Sequence, residues 1–235
     1  MFRDAPRTII LLVIICISLF GSFSTVMLAL NPPSHLDSFP WRKPMIGSIF
    51  ATICLLGIAA VFYPRSCSDV LSLKKTETEL FSKVETRNNK VPIAFMGHHP
   101  DCGRFSTHTI HAFGRVLCAS CTGLCLGALF ALTGTVLYFF VGWNDGLIGL
   151  LAVLVGQIGV LFGFIQFKFK GYVRVFLNTF FAFAAFLTLA GIDGLAENML
   201  IDLYVIALIL FWLLTRIQIS QWNHSRMCQA CNLCN

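Results

Sequence analysis

Two stretches of this chain carry residue types that do chemistry. The first opens with His98-His99-Pro100-Asp101-Cys102, continues through His108 and His111, and closes on Cys118-Ala119-Ser120-Cys121-Thr122-Gly123-Leu124-Cys125. The second holds His224, Cys228, Cys231 and Cys234. Two thiolates separated by two residues both reach one tetrahedral ion, with Zn–S distances near ~2.3 Å. In a reducing compartment such a pair reads as metal-binding or redox-active rather than as a structural disulfide. Cys102 and one histidine would complete the first set. His108 is preferred because it lies between Cys102 and Cys118, with His98, His99 and His111 as competitors. In the second stretch His224, Cys228 and Cys231 are spaced i, i+4, i+7, which places them on one face if the last helix continues that far. Cys228-x-x-Cys231-x-x-Cys234 also matches the opening of an iron–sulfur ligand run, with Cys125 or Cys67 free to supply a fourth thiolate. The expected metal ligands are therefore Cys102, His108, Cys118, Cys121, His224, Cys228, Cys231 and Cys234. Zinc is the expected ion and an iron–sulfur cluster the alternative.

The elements that must position these residues follow from composition. Of 235 residues, 57% are hydrophobic and only 12% charged. A soluble domain averages roughly 25% charged and about 45–50% apolar residues. That excess excludes a soluble globular enzyme, a disordered chain, a collagen and a small disulfide scaffold, and leaves lipid as the main solvent. A bilayer core about 30 Å thick asks for ~20 apolar residues per helix. Six stretches qualify: residues 8–30, 44–63, 117–141, 146–167, 173–191 and 199–217. The expected fold is an all-α polytopic transmembrane bundle with a Cys/His-rich cytoplasmic loop. Its parts are two N-terminal spans (1–63), the loop (64–116), four further spans (117–217) and a Cys-rich cytoplasmic tail (218–235). The first span is too long for the apolar core of a signal peptide and reads as a retained helix, ended by Pro32-Pro33.

An even number of spans puts both ends of the chain on one side. With that side cytoplasmic, only Arg42 and Lys43 of the 17 basic residues fall on the other, as the positive-inside bias requires. The expectation is a multi-pass protein of the cell membrane with both termini cytoplasmic. Asp145, Asp193, Glu197 and Asp202 then sit near the opposite face, either as a cation-collecting mouth or simply as acids remaining where bases are excluded. Within the loop, residues 69–87 have helical periodicity: Val70, Leu73, Leu80, Phe81 and Val84 share a face, and the lysines point elsewhere. That helix suits either the lipid surface or the protein's own cytoplasmic face.

In the third span Cys118, Cys121 and Cys125 form one stripe, and Ala119, Gly123, Gly127 and Ala131 a small-residue ridge roughly opposite. Such ridges let helices approach closely in lipid. Gly149, Gly156, Gly159 and Gly163 give the fourth span a matching smooth surface. No ionisable residue lies near the middle of any span, and the midplane polar groups, Gln157 and Asn178, are expected to hold helices together by hydrogen bonds. Cys16 and Cys54, inside the first two spans, read as small hydrophobes.

The run from His99-Pro100-x-Cys102 to Cys118-x-x-Cys121-Thr122-Gly123-x-x-x-Gly127 resembles a family of prokaryotic, especially archaeal, polytopic membrane proteins known only as a domain of unknown function. The resemblance is strongest over residues 97–130 and extends weakly through 170–193, where Asn178 matches a polar position. Many members have Arg inside the Cys pair, where this chain has Ser120, and the tail cysteines are outside the shared pattern. The resemblance implies fold and motif, and no activity.

Three functional readings are compatible with these residues. In one, zinc staples the cytoplasmic loop to the third span and rigidifies a docking or sensing surface for a cytoplasmic protein or a second copy of the chain. In another, a dithiol or iron–sulfur centre makes the protein a membrane redox protein or enzyme. The third is metal-ion transport, against which the scarcity of midplane polar residues counts. No nucleophile elbow, phosphate-cradling loop or dinucleotide fingerprint is present, so no catalytic signature is recognisable. The basic residues are accounted for by orientation, so no nucleic-acid partner is expected. The bilayer is the one partner that composition demands.

Overall fold

A computed structural model describes residues 5–33, 39–62, 95–96, 99–100, 108–112, 115–143 and 149–231. Six helices form the body: α1 (Ala5–Leu30), α2 (Arg42–Phe62), α3 (Ala119–Thr135), α4 (Gly149–Ile165), α5 (Gly171–Ala196) and α6 (Met199–Cys231). All six are long and apolar enough to cross a membrane. Two short antiparallel pairs precede α3: β1 (Phe95–Met96) with β2 (His99–Pro100), and β3 (Thr109–Ala112) with β4 (Arg115–Cys118). The expected loop helix over 69–87 lies outside the described residues.

Local chemistry sets the helix ends. Pro44 falls in the first turn of α2, where a backbone N–H has no acceptor to lose. Asn198 caps α6, its Oδ1 accepting from the N–H groups of Leu200 and Ile201 at 3.0 and 3.3 Å. The last turns of α3 widen over Val136–Val141 and stop at Gly142, whose φ of 82° suits a residue without Cβ.

The core is organised around α5. In its span 56% of residues are buried, against 22% in the spans of α1 and α2. A Cβ at Gly123 would strike the Val175 carbonyl of α5, and one at Gly127 the Thr179 carbonyl, so glycine is what lets α3 lie against this helix. On the α4 side, Gly156, Gly159 and Gly163 receive Thr188, Ala184 and Phe181 of α5. The two smooth surfaces read from the sequence therefore do not serve to mate with each other. Each is a seat for α5, whose own bulk fills both.

Polar pairs complete the packing. Ser18 on α1 and Thr215 on α6 share a hydrogen bond of 2.6 Å, and the Trp212 indole donates to the Ser18 carbonyl at 3.1 Å. Gln157 of α4 donates to Thr188 of α5 at 3.3 Å, in line with the packing role expected for it. Outward faces carry exposed Ile10, Leu12, Phe20, Leu56, Phe130, Leu151 and Phe176. Contiguous apolar surface of this kind is stable against lipid and not against water.

Candidate functional site

One end of the bundle is closed by the β3–β4 hairpin. Thr109 pairs with Cys118 across this ladder, so His108 stands one residue beyond the partner of Cys118. His108 and Ile110 are buried, and the Tyr172 hydroxyl of α5 donates to the His111 carbonyl at 3.2 Å, fastening the hairpin to the bundle. Cys118 ends β4 in an extended conformation and is at once the N-cap of α3, with no side-chain hydrogen bond from it to the first turn. Cys121 lies in that first turn, and both thiols are half-buried. Cys118 thus precedes the helix and is not part of a helical stripe with Cys121 and Cys125, as the spacing alone had predicted.

Beneath the pair is a connected polar cluster drawn from four helical segments. The Ser120 hydroxyl, between the two cysteines, donates to Gln166 Oε1 at 3.5 Å. The same oxygen accepts from Asn178 Nδ2 at 2.7 Å and from Arg174 Nε at 3.3 Å. Asn178 Oδ1 in turn accepts from Arg216 Nη2 of α6. Gln166 sits in the single tight turn that ends α4, Gln166–Lys168, which carries its amide into the bundle. Relative exposure is 1% for Gln166 and Arg174, 0% for Asn178 and 4% for Arg216.

Two buried guanidinium groups in one cluster are costly, because each cation leaves water and repels the other. Among the described residues neither Arg174 nor Arg216 forms an ion pair with a carboxylate. Arg174 Nη1 and Nη2 and Arg216 Nε are buried with no hydrogen-bond partner among the described residues. Cys118 lies within electrostatic range of Arg174, and Cys121 and Cys118 within range of Arg216.

The opposite end of the bundle is different. Arg42 Nη1 donates to Asp193 Oδ1 at 2.6 Å and to Asp202 Oδ2 at 2.5 Å, Lys43 Nζ lies 3.9 Å from Asp193, and the Tyr138 hydroxyl donates to Asp193 at 2.9 Å. Asp193 and Asp202 are fully buried and both pair with Arg42, while Asp202 Oδ1 has no hydrogen-bond partner among the described residues. They are a latch joining α2, α5 and α6 rather than an open acidic mouth. Arg42 and Lys43, the two basic residues on the unexpected side, are the counter-charges of that latch.

Of the expected ligands, Cys118 ends β4 and Cys121 lies in the first turn of α3, while His108 precedes Thr109, the ladder partner of Cys118. Cys102 and Cys234 lie outside the described residues. The backbone of α6 runs helically through His224, Cys228 and Cys231, as their spacing anticipated. Among the described residues no group of three His, Cys, Asp or Glu is arranged to hold a metal ion. The sequence reading passed over Arg174, Arg216 and Gln166 as site residues and took Asn178 for packing alone. The available signal was a basic residue within or at the edge of an apolar span, which in lipid marks a function by default. Comparison with protein-family models, curated proteins and solved structures finds no match for this chain.

Proposed function

We propose that this is a multi-pass membrane protein whose Cys118–Cys121 pair performs thiol–disulfide exchange at one end of the helix bundle. The observation that carries the reading is the pair of buried arginines, without carboxylate partners among the described residues, in the electrostatic reach of the two thiols. Thiolate, not thiol, is the nucleophile, and it is favoured at helix N-termini and beside Arg in partly exposed sites. Cys118 has all three conditions. Its thiolate attacks one sulfur of a substrate disulfide and expels the other as a thiolate. The Cys121 thiolate then attacks the mixed disulfide, forming the Cys118–Cys121 bond and releasing the second substrate thiolate. The substrate is reduced by two electrons and the pair oxidised by two.

A redox titration tests this. Membranes are equilibrated with glutathione buffers spanning about −300 to −120 mV, and thiols are trapped by alkylation with peptide-level readout. Cys118 and Cys121 should oxidise together as a two-electron couple while Cys54, buried on α2, stays reduced. A pair that remains reduced throughout, or two cysteines that oxidise independently, would refute the assignment.

The hairpin register favours a second reading, in which zinc is held by Cys118, Cys121 and His108 together with Cys102, and staples the 64–116 segment to α3. The donor set seen among the described residues stops short of the four that a structural zinc site uses. Elemental analysis of protein purified anaerobically in detergent separates the two. One zinc per chain, lost on Cys118→Ser/Cys121→Ser substitution, would favour the staple. Iron with inorganic sulfide would point instead to an iron–sulfur centre. For both readings the distribution of basic residues supports a cytoplasmic placement of this end, with both termini on that side.

A further inference from the structure

We propose that Arg174 and Arg216 form an oxyanion site at the dithiol end of the bundle, one that takes a phosphate group, whether of free phosphate or of a phospholipid head. Both arginines hold unspent hydrogen-bond donors. Arg174 uses Nε on Gln166, and its two terminal nitrogens, with four N–H bonds, are buried and unpartnered. Arg216 uses Nη2 on Asn178, and its Nε is likewise buried and unpartnered. A buried charged donor left without an acceptor costs far more than one hydrogen bond gains, so more than 90% of such groups in proteins find partners. The fork of a guanidinium matches two oxygens of one tetrahedral or carboxylate anion.

The surroundings select for an anion. The groups that fix the two side chains are neutral amides, Gln166 and Asn178, which orient the guanidiniums without neutralising them. The first turn of α3 starts beside them, since Ser120 of that turn bonds to Gln166. Cys118, the N-cap residue of that helix, makes no side-chain cap bond, and the positive end of the helix dipole lies at this turn. Cys118 and Cys121 lie within electrostatic reach, and the two terminal nitrogens of Arg174 donate to neither. A carboxylate in that position would give a closed salt bridge like the Arg42 latch. Its absence among the described residues leaves two cations and a helix N-terminus converging on one place. The site is independent of the redox reading, although an anion seated there would face the same thiols.

The test uses the full chain, stripped of lipid in a neutral detergent, with thermal unfolding followed against inorganic phosphate at constant ionic strength in chloride. A saturable rise of about 3–6 °C at tenfold excess over half-saturation is expected for a free-phosphate site. The rise should vanish in Arg174→Gln. Should that variant not fold, Arg174→Lys keeps the charge but loses the fork, and half-saturation should shift upward at least fivefold. The second arm measures phosphorus in protein purified without stripping. About one solvent-extractable phospholipid per chain, lost in the Arg174 variant, together with no response to inorganic phosphate, would assign the site to a lipid head. Absence of both signals overturns the proposal, as does a phosphate response unchanged in the Arg174 variants. Cys118→Ser/Cys121→Ser should keep the response, so failure of the redox reading and failure of the anion site are distinguishable. Loss of the response in that double variant would give the arginines to the thiolates and overturn the site.

Discussion

If the buried arginines poise the dithiol, then replacing Arg174 by Gln must change how Cys118 reacts with pH. Arg174 is 1% exposed and fixed by Gln166, so its charge is neither mobile nor well screened. At an effective dielectric of about 20, one unit charge stabilises a thiolate by about 4 kcal/mol at about 4 Å and by about half that at twice the distance. The half-exposed Cys118 sulfur reduces this to about 1–2 kcal/mol, a fall of about 5- to 30-fold in thiolate fraction near neutral pH when the cation is removed. The direction is fixed by sign: a cation favours the thiolate, so its loss moves the titration upward. Nucleophilicity rises with basicity, with a Brønsted slope of about 0.4–0.5. The alkylation rate at pH 7 should therefore drop only about three- to sixfold, while the plateau at high pH should rise. Peptide-resolved alkylation of Cys118 by iodoacetamide between pH 5.5 and 10 (about the range in which an ordinary thiol near 8.5 is bracketed) measures both limbs. Crossing curves are the signature of an electrostatic effect. Arg216→Gln should act in the same direction. Curves that superimpose, or that differ by one constant factor at every pH, would refute the reasoning, the second outcome because it reports a change in access and not in charge.

Three further outcomes are expected. Gly127→Leu drives a side chain into the Thr179 carbonyl of α5 and should cost about 1–3 kcal/mol or more, lowering the unfolding midpoint in detergent by several degrees, whereas Gly57→Ala, where nothing lies within 4 Å of the new Cβ, should leave it unchanged. Arg42→Met strands Asp193 and Asp202 in the interior and should cost about 3–5 kcal/mol, and adding Asp193→Asn with Asp202→Asn should restore most of the midpoint. A triple variant no better than the single one would mean that Arg42 acts through its aliphatic stem instead of its charge. On intact cells a membrane-impermeant maleimide should leave Cys228 unlabelled and a permeant one should label it, and ready labelling from outside would reverse the orientation.

The spans were legible because lipid leaves few solutions to a chain this apolar, and Pro32-Pro33 did end the first of them at Leu30. The start of the third span was read two residues early. Thr109–Ala112 and Arg115–Cys118 are strands too short for a period-two pattern to stand out, and their ladder, not helical spacing, decides where Cys118 points. That error mattered at the site, since a cysteine that caps a helix sits at the positive end of its dipole and one in a stripe does not. Arg174 and Arg216 were counted among the charges of the cytoplasmic face because each lies near an end of its apolar run. Position along a span does not reveal burial across it. What buries these two is Gln166 from the end of α4 and Asn178 one turn along α5, a meeting of three elements that no local window contains.

The two ends of the bundle are best understood against each other. At the far end two cations, Arg42 and Lys43, meet two carboxylates, Asp193 and Asp202, and a tyrosine hydroxyl supplies a further donor. Such a cluster holds helices in register by matching cations to carboxylates, although Asp202 Oδ1 is buried with no hydrogen-bond partner among the described residues. At the dithiol end two guanidiniums meet amides, a serine hydroxyl and thiols, and the charge does not close among the described residues. The same helix, α5, carries Asp193 near one end and Arg174 near the other, so helix placement alone cannot explain why one cluster is neutral and the other positive. A purely structural role would be met more cheaply at the second end by an apolar residue or a carboxylate, since an unmatched buried cation destabilises the fold. On the proposed reading the imbalance would serve the negative charge that works there: the thiolates of Cys118 and Cys121 during exchange, and the oxyanion group that the unspent arginine donors would hold beside them.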